Sequence, residues 1–129
     1  MRFISTRFHG VLDYLMGIFL LAAPWLLNFN DGGAAQYVPM IVGAMIILLS
    51  FFTNYEADLS KTISMSTHLT MDILAGIVLA ASPWLFGFAS EVYLPHLILG
   101  IMEIGAGLFT ARTPHTSHYA HTTGVRHAH

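Results

Sequence analysis

The sequence predicts an all-α polytopic membrane protein, four transmembrane helices arranged as two tandem hairpins, and three observations carry that prediction. Hydrophobic residues make up 55% of the 129-residue chain and charged residues only 9%. A globule this small has too much surface to cover with so few charges, so lipid is the implied solvent. Four apolar runs, about 10–29, 37–52, 69–88 and 92–111, approach or reach the roughly 17 to 25 residues a bilayer asks of a helix. The chain also repeats itself: shifted by 59 positions, residues 9–29 fall on 68–88 without a gap and match at 11 of 21 positions.

The runs read as helices because hydrocarbon leaves no backbone group unpaired, and they lack the polar and apolar alternation of barrel strands. The first begins after "MRFISTRF", a basic opening that resembles a secretory leader. Its twin lies in mid-chain, where no leader is cleaved, so the first run is expected to stay as a span. Near its far end stands Pro24-Trp25, and near the far end of the third stands Pro83-Trp84. A proline there bends or ends a helix, and the tryptophan suits the zone where hydrocarbon meets headgroups.

The second run is the shortest, and each return helix is expected to open near a proline, Pro39 or Pro95. The return helices also match, at a shift of 57, with "GAMIILLSFFT" at 43–53 against "GIMEIGAGLFT" at 100–110. The expected organisation is a transmembrane domain over 1–112, with repeat one about 9–53 and repeat two about 68–110. Beyond it, 113–129 is read as a disordered, histidine-rich tail. Arg2, Arg7, Lys61 and Arg112 flank one set of helix ends, and the Pro-Trp turns carry no cation. The positive-inside rule then puts both termini and the central loop in the cytoplasm, with the chain multi-pass in the inner (cytoplasmic) membrane. The hairpins form a parallel repeat about an axis along the membrane normal.

Two hairpins of this kind, with Ser82-Pro83-Trp84 in one and the variant Ala23-Pro24-Trp25 in the other, resemble the SPW-repeat family of small bacterial and archaeal integral membrane proteins. The resemblance runs from Arg7 to Arg112 and takes in the His and Asp upstream in each hairpin. It implies a four-helix integral membrane protein, and it leaves the biochemical activity open.

Polar residues in the spans are the candidates for function. His9 and Asp13, like His68 and Asp72, stand four apart on one helix face, in a stripe that continues through Gly17 or Gly76 and should point into the bundle. The aspartates fall about 6 Å along the axis from His9 and His68, at the expected helix starts near the interface, where water and the helix dipole favour a carboxylate. Hairpin anchoring is the plain role, with proton or ion handling next and ligation of a metal or cofactor last.

Glu103 lies nearer mid-bilayer, on a stripe with His96, Gly100 and Gly107, and it breaks the repeat, because Ile46 holds the matching place. A charged carboxylate there costs about 3 kcal/mol, so a protonated or hydrogen-bonded acid is expected. Gly17, Gly43, Gly76, Gly100 and Gly107 are the expected packing positions.

In the tail, His115, His118 and His121 are weak metal candidates, because imidazoles need convergent geometry to bind an ion well. No cysteine is present, which removes thiolate chemistry. The scattered cations exclude a nucleic-acid surface, and no catalytic motif is visible. The expected function is therefore a non-enzymatic structural or interaction module without a cofactor. Its partners are the lipid bilayer, a second copy in a homo-oligomer, or another membrane protein. The alternative is a proton- or ion-coupled channel or transporter using Glu103 with the His-Asp pairs.

Overall fold

The computed structural model describes residues 4–53 and 63–110. It contains four helices: α1 (Thr6–Leu26), α2 (Ala34–Phe52), α3 (Met65–Leu85) and α4 (Leu94–Phe109). The described residues hold no strand, only two isolated bridges, Ile4 with Thr110 and Thr53 with Ile63. Through these the Ile4 N–H meets the Phe109 carbonyl and the Ile63 N–H meets the Phe52 carbonyl. The expected tail, with His115, His118 and His121, lies outside the described residues.

Helices α1 and α3 begin four residues before their apolar runs, because Ser5 and Ser64 cap them. Each hydroxyl accepts a backbone N–H of the first turn, from Phe8 at 3.1 Å and Thr67 at 3.2 Å. A polar opening turn therefore belongs to the helix although hydropathy misses it. The shortest helix is α4, with 16 residues, rather than α2, which starts at Ala34 and carries Pro39 in its sixth position. Three of the helices are long and apolar enough to cross a membrane, and α4 is a shorter apolar one. Bulky apolar side chains such as Leu15, Ile41, Leu74 and Ile101 are exposed on the outer surface, as lipid contact requires.

The Pro-Trp segments end the outgoing helices by one geometry. Asn28 and Gly87 occupy the left-handed region at φ 61° and 76°. That reversal lets the N–H of Phe29 reach the Pro24 carbonyl at 2.7 Å and that of Phe88 reach the Pro83 carbonyl at 2.8 Å. Both phenylalanines turn inward and are buried, whereas Trp25 and Trp84 point outward and are about half exposed. Serine before proline has its own task. Pro83 cannot donate to the Leu79 carbonyl, and the Ser82 hydroxyl donates to that carbonyl at 2.7 Å. Ala23, the variant in the first half, offers no such donor.

Within each hairpin the helices touch backbone to backbone, since lipid supplies no hydrophobic drive between them and close contact must do so. A Cβ on Gly43 would stand 2.7 Å from the Gly17 carbonyl oxygen, and one on Gly76 2.7 Å from that of Gly100. One on Gly107 would meet the Ile73 side chain at 2.6 Å. All five glycines thus serve the hairpins' internal contacts. The hairpins then meet through α2 and α3, around a core of Leu20, Val42, Ile46, Ala75, Leu79 and Leu99.

Candidate functional site

Near the ends of the helices that carry Ser5 and Ser64, the two His-Asp pairs meet in one buried cluster. They stand on α1 and α3, and the bonding crosses between the halves. The Nε2 atom of His9 lies 2.8 Å from Oδ2 of Asp72, and Nε2 of His68 lies 2.5 Å from Oδ2 of Asp13. The contacts within each pair are longer, 3.0 Å from His9 to Asp13 and 3.0 Å from His68 to Asp72. Two nitrogens and two oxygens therefore alternate around a closed four-atom ring. All four side chains are at most 1% exposed. The expectation that water reaches the aspartates is corrected here. The capped helices begin earlier, so Asp13 and Asp72 lie about 10 Å inside them, and the opposite hairpin covers them.

Two threonines fix the rings from behind. The Thr53 hydroxyl donates to the Leu49 carbonyl and the Thr110 hydroxyl donates to the Ala106 carbonyl. With its proton so engaged, each oxygen can only accept from an imidazole. His68 Nδ1–H donates to Thr53 at 2.7 Å and His9 Nδ1–H to Thr110 at 2.8 Å. Both Nε2 atoms are thereby aimed at the carboxylates, with the rings perpendicular at a centroid distance of 5.6 Å. Two protons shared across the ring satisfy it, and the cluster is then neutral overall, the condition for polar groups at this depth.

The halves differ around that ring. The Ser50 hydroxyl donates to Asp13 at 3.4 Å, while the matching place in the second half is Gly107. In both halves the bonds fall on Oδ2, and the Oδ1 atom of Asp72 is buried with no hydrogen-bond partner among the described residues.

Glu103 stands apart from the ring, packed by its Cβ against Gly76, one turn from Asp72. It is 2% exposed, and its Oε2 has no hydrogen-bond partner among the described residues. It borders a crevice of about 450 Å³ between α1 and α4, walled by Leu12, Leu15, Met16, Phe19, Leu99, Met102 and Ala106. The crevice is otherwise apolar. His96, on the same stripe, is turned the other way, into the Pro-Trp end of the bundle. Its Nε2–H donates to the Ala35 carbonyl at 2.8 Å, the carbonyl that Pro39 cannot serve. Phe29 and Phe88 flank its ring at 4.9 and 4.8 Å.

The structure thus brings His9, Asp13, His68 and Asp72 together, sets Glu103 beside them on a separate crevice, and leaves Pro24, Trp25, Pro83 and Trp84 at the opposite end. Sequence reading missed Thr53, Thr110 and Ser50. The threonines had one signal, their matched positions at the ends of the return helices. The ring's four candidate ligand atoms lie within 4.8 Å of one another, a donor set of two imidazoles and two carboxylates.

No curated protein and no solved structure matches the chain. A family model described as the SPW repeat domain matches residues 7–110. The chain belongs to that family.

Proposed function

We propose that this member of the SPW repeat family is a non-catalytic interaction module of the membrane, fastened by its His-Asp ring and open to a partner along the α1–α4 crevice. One observation carries the reading. Glu103, buried on α4, borders an apolar crevice with an oxygen that has no hydrogen-bond partner among the described residues. An incoming transmembrane helix that brings a hydroxyl or amide donor would cover the crevice and satisfy that oxygen. A second copy of the chain is the first candidate, since homo-oligomers are the commonest assemblies. Arg2, Arg7, Lys61 and Arg112 support termini on the cytoplasmic side of the inner membrane.

The absence of cysteine in the sequence makes a direct test available. Single variants Leu15→Cys and Met102→Cys, on the crevice wall, are oxidised in native membranes beside Ile41→Cys, exposed on α2. The expected outcome is a discrete disulfide dimer from the crevice variants alone. Equal yields at all three sites would remove the crevice from the reading.

Proton- or ion-coupled transport is the competing reading, favoured by the buried acid. Against it stands the apolar layer of Leu20, Ile46 and Leu79, fully buried, with Leu99 between Glu103 and His96 on α4. Proton flux in proteoliposomes that Glu103→Gln abolishes would replace the interaction reading with this one.

A further inference from the structure

We propose that His9, Asp13, His68 and Asp72 bind one divalent transition-metal ion between the two halves of the repeat. The donor set suits such an ion, since imidazole and carboxylate together favour copper, nickel or zinc. The threonine bonds hold each Nδ1 as the protonated nitrogen, which leaves each Nε2 lone pair for a metal. That arrangement, with the far ring nitrogen donating to a fixed acceptor, is what orients metal-binding histidines generally.

Spacing and charge agree with the donor chemistry. The sides of the ring measure 2.8, 3.0, 2.5 and 3.0 Å. Neighbouring donors around a square-planar ion with bonds of about 2.0 Å stand about 2.8 Å apart, and around a tetrahedral ion about 3.3 Å. The four sides are therefore close to the edges of a square-planar site, and a tetrahedral ion needs them to open by about 0.3 to 0.8 Å. Two carboxylates balance a dipositive ion, so loading exchanges one ion for the two shared protons, which leave to solvent, and the buried charge stays zero. The Oδ1 atom of Asp72, buried without a hydrogen-bond partner among the described residues, is a second oxygen able to turn onto such an ion.

The test uses the full chain with His115, His118, His121, His127 and His129 replaced by serine, which removes tail binding. The protein is produced in medium supplemented with Cu²⁺, Ni²⁺ or Zn²⁺ and washed with a chelator. Metal per chain is then counted, and the ligand shell is read by X-ray absorption. The expected result is one ion per folded chain, with imidazole in its shell. Asp13→Asn with Asp72→Asn should abolish it. Thr53→Val and Thr110→Val keep every ligand and should weaken binding about 10- to 100-fold, an effect that a purely structural ring would not show. Glu103→Ile should leave the metal content unchanged, which separates this inference from the crevice reading. Folded protein that retains no ion with any of the three metals would overturn the proposal. So would an ion that persists in the Asp13→Asn, Asp72→Asn variant.

Discussion

The seam between α2 and α3 and the seam between α4 and α1 are built from matched positions of the two halves, yet one is closed and the other is a crevice. At the closed seam Ile46 and Ala75 are both in the core. At the open seam the matching places hold Glu103 and Met16, which line the crevice. A long apolar residue opposite alanine lets two helices close, whereas a carboxyl opposite methionine holds them apart. These two side chains thus mark off a structural seam from a candidate binding seam, while the Ser5 and Ser64 caps and the glycine pairs Gly17/Gly76 and Gly43/Gly100 are the same in both halves.

The comparison can be broken hardest at the ring that both seams share. Asp72→Ala leaves two imidazoles without one of their carboxylates, and loss of one partner from a buried ionic cluster costs about 3–5 kcal/mol. Unfolding midpoints in mixed micelles should fall accordingly. Asp13→Ala should cost slightly more, because Ser50 loses its acceptor too.

The next effect tests whether the hairpins are equally tight. Gly100→Ala puts a Cβ 2.5 Å from the Ala80 backbone nitrogen, and Gly43→Ala puts one 2.7 Å from the Gly17 carbonyl oxygen. Overpacking of this kind costs about 1–3 kcal/mol, and the two variants should lose stability alike. A large difference would show that one hairpin yields where the other does not.

Smaller, and opposite in sign, is conversion of the open seam into the closed one. Met16→Ala with Glu103→Ile copies Ala75 and Ile46 and removes a buried acid, so it should stabilise the monomer by about 1–2 kcal/mol. The same variant should lose the Leu15 and Met102 cross-links. Smallest is Ser50→Ala, which makes the surroundings of Asp13 resemble those of Asp72. The bond is long, and hydrogen bonds between membrane helices average about 0.6 kcal/mol, so the midpoint should barely move.

How much of this was legible depended on how local the physics is. Hydropathy, the repeat and the prolines act along one segment, and they show four helices, two hairpins and the inward stripe from His9 and His68. The i,i+4 spacing also puts each histidine beside its own aspartate, and that contact exists at 3.0 Å. The shorter bonds run to the other hairpin, 55 and 63 residues away, where periodicity carries no information. Helix starts were missed for a local reason: Ser5 and Ser64 outweigh the hydropathy of the turns they cap. Glu103 was legible as a broken repeat, but its crevice was not, because that depends on Met16 across the bundle.

His96 and Pro39 occupy matched positions of the repeat, and the bond from His96 to Ala35 makes them mutually contingent. A chain that lost His96 first would strand a buried carbonyl and carry that handicap. A chain that replaced Pro39 first would restore the helix's own donor and release His96 to drift. The order of mutation therefore matters: an early proline in one half makes the histidine of the other half hard to lose.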